Sequence, residues 1–150
     1  MEEETGLFDD LEAFLYWWTD KRCLKPPPDT PIHVENSVTQ LVVYREGQYQ
    51  VQLIQVLPNS EIPDHVHPDV DSFEVYFCGD IVFRKDGKSY YPTNGERILR
   101  IKPDTPHGGT FGKHGGCFFS VQKWIGKEPD FISNNWEFAD EEVSQKNFKL

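Results

Sequence analysis

The sequence predicts an all-β fold, a sandwich or barrel preceded by one helix. Three observations carry this. After Pro26, Pro27 and Pro28, short runs of β-branched and aromatic residues alternate with turn signals as far as Trp124. The Asp86-Gly87 pair falls between two such runs, where it signals a hairpin. No internal repeat interrupts the pattern, and 150 residues suit one domain with a sizeable core.

The helix comes first. Residues 5–21 place Leu7, Leu11, Phe14, Leu15 and Trp18 on one face at helical spacing. Thr5 is the expected cap, and Asp9, Asp10 and Glu12 suit the first turns. The apolar stripe is expected to pack on the rest of the chain, with a partner-binding helix as the alternative. The prolines then stop the helix and form a stiff connector. Three segments result: helix and connector over 1–29, a β domain over 30–127, and a tail over 128–150 packed on it. Phe131, Trp136 and Phe138 are the tail's candidate anchors, ahead of the acidic Asp140, Glu141 and Glu142.

Within 30–125 the expected strands lie in TQLVVY, YQVQLIQVL, SFEVYFC, DIVFR, SYYP, RILRI and CFFSVQKW. The expected breaks are REGQ, PNSEIP, CGD, KDGK, PTNGE, KPDTPHGG and FGKHGG. Formal net charge is −10 with no basic cluster, which argues against nucleic acid or an anionic membrane as partner. No apolar run is long enough to cross a bilayer. The acidic N-terminus has neither the basic region nor the cleavage site of a signal peptide. Cys23, Cys78 and Cys117 form no CxxC, so neither a disulfide framework nor a zinc knuckle is indicated. A reducing, cytoplasmic setting fits. Cys78 and Cys117 read as inert core thiols. There is no phosphate-binding loop and no GxSxG nucleophile motif.

The chemistry concentrates in IPDHVHPDVDSFEVYFCGD, residues 62–80. Residues i and i+2 of a strand share a side, so His65 and His67 aim two imidazoles at one point. Neutral imidazole is a borderline ligand that suits Fe, Mn, Ni, Cu or Zn. His107 follows a later strand, beside Pro106 and Gly108, where a sharp turn can fix a third imidazole. His33 and His114 read as surface residues, and Asp64 and Asp69 as solvated loop residues.

These residues resemble the two motifs of the cupin superfamily. The first motif runs His-x-His, three or four residues, an acid, six residues, then Gly; His65, His67 and Gly79 match it. The second commonly reads Ile-Pro-Pro-Gly-x-Pro-His; Ile101, Pro103, Pro106 and His107 match it. The resemblance spans roughly residues 38–125. It implies a double-stranded β-helix, a jelly-roll barrel whose interior holds one divalent transition metal on His65, His67 and His107. Iron is the leading ion, with Mn, Ni or Zn as alternatives.

Two departures stand out. Ser72 occupies the family's glutamate position, and Lys102 and Asp104 replace the Pro-Gly of the second motif. In the family register Ser72 and Glu74 face the interior, and Glu74 becomes a candidate fourth ligand. In the flipped register Glu74 faces outward, and Asp71 is then the alternative oxygen ligand. Tyr76 and Gln122 are candidate catalytic or substrate contacts. The resemblance implies a metal-dependent enzyme on a small polar organic molecule, with dioxygenase-type oxidation foremost and isomerase or lyase chemistry next. The competing class is a non-catalytic binding or assembly module, since the fold hosts both. Exposed sheet edges make a homodimer an expectation.

Overall fold

The computed structural model describes residues 8, 10–28, 32–129 and 137–138. Thr5, Leu7, Asp9, Phe131, Trp136 and the acidic residues 140–142 lie outside the described residues, as do the side chains of His33 and Phe138.

Helix α1 runs Leu11–Lys21. Its cap is Asp10, whose carboxylate accepts the amide hydrogen of Ala13 at 2.9 Å. That satisfies one of the amides an N-terminus leaves unpaired, so no cap at residue 5 is needed for this helix. Leu11, Phe14, Leu15 and Trp18 are buried, as the spacing predicts. Just before the prolines, Lys25 bridges to Tyr44 in parallel.

Nine strands follow: β1 Ile32–Glu35, β2 Val38–Glu46, β3 Tyr49–Val56, β4 Ser60–Val66, β5 Val70–Lys85, β6 Lys88–Tyr90, β7 Ile98–Ile101, β8 His107–Trp124 and β9 Glu137–Phe138. All named strand pairs are antiparallel. The turn after β5 uses Asp86 and Gly87, both at positive φ, which is the hairpin geometry the sequence signals.

Two expected breaks are absent. CGD lies inside β5, and FGKHGG lies inside β8. The chain passes these points by register shifts rather than by leaving the sheet. Phe77 is an extra residue between the Tyr76 and Cys78 pairings, and residues 112–115 of β8 bulge between the Gly79 and Ile81 pairings. Glycine permits this. A Cβ on Gly79, at φ 99°, would lie 2.4 Å from the carbonyl oxygen of Gly115.

The long strand β8 therefore serves two neighbourhoods. Its second half lies between β3 and the start of β5; its first half lies between β4 and the end of β5. Bent strands of this kind close a two-walled barrel. One apolar cluster fills the interior, including Val38, Ile54, Ile62, Phe83 and Phe118. A second lies outside, where α1 covers Tyr44, Tyr49, Val51, Phe73 and Val121. Each fully buried large apolar side chain contributes roughly 1.5–3 kcal/mol relative to exposure. The four buried residues of α1 thus make the helix part of the domain's core.

Candidate metal centre

His65 and His107 are paired across β4 and β8. Partners in an antiparallel pair direct their side chains to the same face. Here that face is the barrel interior, and the two rings lie 4.3 Å apart between centroids. His67 follows one residue after the end of β4. Its carbonyl accepts the amide of Asp104 at 3.1 Å, which ties it to the turn that presents His107. Its ring lies 4.9 Å from that of His65 and 5.4 Å from that of His107. Ring nitrogens of the three lie within 4.8 Å of one another.

The turn before His107 explains how the chain departs from the second motif yet keeps its geometry. Asp104 stands at the motif's glycine position and adopts φ 63°. Aspartate is one of the few residues that enters the left-handed region readily.

Backbone carbonyls fix two of the imidazoles. His65 Nδ1 lies 2.8 Å from the Pro63 carbonyl, and His107 Nδ1 lies 2.7 Å from that of Thr105. A carbonyl oxygen only accepts, so each Nδ1 carries the proton. Each Nε2 then keeps a lone pair for a metal, the tautomer that outer partners select at metal-binding histidines. Burial holds all three rings neutral. It lowers His67 to about 3, with the neighbouring His107 adding to the effect. It lowers His65 far below the ordinary value, helped by His107 and His67, and it lowers His107 against the Thr105 hydrogen bond. Three neutral, converging imidazoles are a donor set that fits a divalent first-row transition metal.

The oxygen donors considered in the sequence are placed differently. Ser72 and Glu74 face the interior, so the family register holds despite the bulge at Phe77. Asp71 faces the other way. Arg100 grips it with two bonds, at 2.8 and 2.7 Å, while stacking over Phe73. Asp71 is thus corrected from candidate ligand to partner of an external ion pair. Among the described residues the converging group is the three histidines alone, without Glu74.

Glu74 Oε2 instead accepts the hydroxyls of Ser72 at 3.0 Å and Ser120 at 3.1 Å. Burial pushes its carboxyl up to about 7, against the pull of both hydroxyls. Oε1 has no hydrogen-bond partner among the described residues. Ser72, at the family's glutamate position, therefore serves as a prop for the acid two residues later.

Gln122 lines the same cavity. Its Oε1 accepts from Trp124 Nε1 at 2.8 Å and Gln50 Nε2 at 3.1 Å. Its Nε2 donates to Ser120 Oγ at 3.0 Å and to Gln52 at 3.4 Å. All four hydrogen-bonding positions of the amide are engaged, so Gln122 orients Ser120. Tyr76 lies elsewhere. Its hydroxyl donates to the Gly79 carbonyl at 2.8 Å, and it is not part of the cavity wall.

The cavity has an interior volume of about 60 Å³ and opens to solvent at its mouth. Four polar wall residues escaped the sequence reading: Gln40, Gln52, Arg84 and Ser120. Strand parity carried the signal, because Gln50, Gln52 and Ile54 alternate with Tyr49, Val51 and Leu53. Asp64 was expected to be a solvated loop residue. It lies in β4 and pairs with Arg84 at 2.9 Å at the cavity wall. Asp69 pairs with Lys127 at 3.3 Å.

No protein-family profile matches the sequence, and no curated protein does. Solved structures do match. An RmlC-like cupin from Shewanella frigidimarina superposes with a TM-score of 0.57 at 15% identity, covering 73% of this chain and 95% of that one. KdgF from Halomonas gives 0.54 at 13% identity, over 61% and 82%. A formate complex of oxalate decarboxylase from Lactobacillus farciminis gives 0.58 at 14% identity; the match covers 80% of this chain and 37% of that enzyme. At these identities the likeness is one of fold. The bent two-walled barrel, the order of its strands and these superpositions agree: the chain has the double-stranded β-helix fold of the cupin superfamily.

Proposed function

We propose that the chain binds one divalent transition-metal ion on His65, His67 and His107 and is a metal-dependent enzyme acting on a small polar organic molecule. Iron is the first choice of ion, with Mn, Ni or Zn next, and oxidation by O₂ the first choice of reaction. One observation carries the reading: two of the three imidazoles are locked by backbone carbonyls in the tautomer that presents Nε2 to a shared, buried point. A bound ion would supply Lewis-acid or redox chemistry and open positions for substrate.

The chain's own groups do the rest. Interior apolar residues such as Ile54, Leu99 and Phe118 line the cavity and exclude water. Glu74 supplies the polar contact. Its Oε2 is committed to two hydroxyls, so Oε1 carries the proton when the carboxyl is neutral and offers it to a substrate oxygen or nitrogen. Gln122 and Ser120 hold that carboxyl in place.

Glu74 also favours a second reading. A carboxyl titrating near 7 suits proton transfer, so isomerase or lyase chemistry follows oxidation closely. Metal analysis of protein purified without chelator, followed by O₂-uptake and product assays on a panel of small organic acids, enols and thiols, tests the proposal. One equivalent of metal with O₂ consumption supports oxidation. Metal with turnover but no O₂ uptake supports the second reading. A chain that stays empty after reconstitution with Fe, Mn, Ni and Zn overturns both.

A further inference from the structure

Cys78 and Cys117 stand directly opposite each other in the antiparallel ladder of β5 and β8. Opposed residues share a face, and their Cβ atoms lie about 4.5–5.5 Å apart. A disulfide needs about 3.5–4.5 Å, so modest local movement joins such a pair. The neighbourhood offers that movement on one side and holds the strands together on the other. Phe77, the extra residue of the bulge, precedes Cys78 and gives β5 slack. Gly79 follows it and packs so closely on Gly115 and Gly116 that no Cβ would fit.

Both thiols are free, and their surroundings differ. Cys78 is exposed, while Cys117 is half-buried. Burial first, and the Cys78 thiol second, push the Cys117 thiol up. The two sulfurs are therefore electrostatic neighbours, one open to solvent and the other shielded behind it. Neither lines the cavity. The expectation of a core position is corrected for Cys78, which is exposed. Cys23, the remaining cysteine, precedes the proline connector, where its carbonyl accepts the indole hydrogen of Trp18.

We propose that Cys78 and Cys117 form a redox-modification site, a dithiol that closes reversibly into a cross-strand disulfide on meeting hydrogen peroxide. The Cys78 sulfur attacks the peroxide: an S–O bond forms, the O–O bond breaks, and one water leaves. The Cys117 sulfur then attacks the sulfenic sulfur: the S–S bond forms, the S–O bond breaks, and a second water leaves. Two thiols lose two electrons and two protons, and the peroxide is reduced to two waters. A small dithiol reductant reverses the closure by exchange. This site is independent of the metal centre.

The test is oxidation of the full chain with stoichiometric hydrogen peroxide, then alkylation, proteolysis and peptide mass analysis. The expected result is loss of two of the three thiols, a fragment linking Cys78 to Cys117, and recovery of both thiols with dithiothreitol. Cys23→Ser should behave as wild type. Cys117→Ser should stop at a Cys78 sulfenic acid that dimedone traps. Three persistent thiols, a link through Cys23, or Cys78 joining two chains would each overturn the proposal. The wild-type map decides even if a cysteine variant fails to fold.

Discussion

The rings of His65 and His107 lie 4.3 Å apart because their residues are paired across β4 and β8. Two residues 42 positions apart in sequence thus share one rung of the sheet, a spacing that follows from their numbers. The third histidine comes from the chain just beyond the same strand. Metal affinity should follow this arrangement. His65→Ala, His67→Ala or His107→Ala should lose most bound metal, whereas His114→Ala, exposed and outside the group, should lose none. Elemental analysis of the four variants after reconstitution checks this.

Stability of the metal-free protein should depend on pH in a definite sense. The three buried histidines have lowered folded values, so the unfolded chain binds protons that the folded chain refuses. Their contribution is complete above about 6.5, the unfolded value, and is lost progressively as pH falls below it. Denaturant midpoints measured between pH 8 and pH 5 should fall over that interval. His67→Ala should flatten the dependence.

Glu74 acts in the opposite sense. Its folded value is raised to about 7 from 4.5, so the folded chain holds a proton that the unfolded chain releases. Its stabilising contribution is present below about 4.5 and lost as pH rises through 7. The stability of Glu74→Gln relative to wild type should therefore grow from pH 4.5 to 7 and level off above. Ser120→Ala removes a hydroxyl that favours the charged form, so it should move the Glu74 titration upward, read by carboxyl ¹³C chemical shifts.

Asp71→Asn should leave metal affinity within error, because Asp71 faces Arg100 outside the barrel. It should cost stability modestly, about 1 kcal/mol, since the pair is bidentate but partly open to solvent. A metal-competition titration beside a denaturation curve separates the two effects. A large loss of affinity would show that the carboxylate reaches the ion.

The turn at Asp104 gives a backbone test. Asp104→Gly should be neutral or stabilising, because glycine enters φ 63° without penalty. Asp104→Val should destabilise by about 1–2 kcal/mol, the cost of a β-branched residue there. Gly79→Ala should cost more, since its Cβ meets backbone that cannot move aside. Thermal denaturation ranks the three.

The barrel and its three histidines were legible because local signals carried them. Alternation, the Asp86-Gly87 turn and the His65-Val66-His67 spacing all act within a few residues, and His107 carries its own local signal in the flanking Pro106 and Gly108. The strand boundaries were less legible. Gly79 and the glycines at 112–116 look like breaks in isolation, but they are sites of close strand approach, visible only once β5 and β8 are paired. Glu74 shows the same limit. Parity left two registers open for it, and its hydroxyl partner Ser120 lies 46 residues away, which no local pattern reports. The helix cap was misplaced for a simpler reason: several residues near the start of α1 are competent caps, and tertiary packing of Leu11 and Phe14 selects among them.

Strand β8 has a consequence for how the chain acquires its structure. It is made after β3, β4 and β5, yet all three pair with it. Until residues 107–124 leave the ribosome, those strands lack their shared neighbour, and closure must join segments far apart in sequence. Such non-local pairing slows folding and leaves edges open meanwhile. His107 opens the same strand. A nascent chain shorter than that point holds only two of the three imidazoles, so the group that could hold a metal is incomplete until β8 begins.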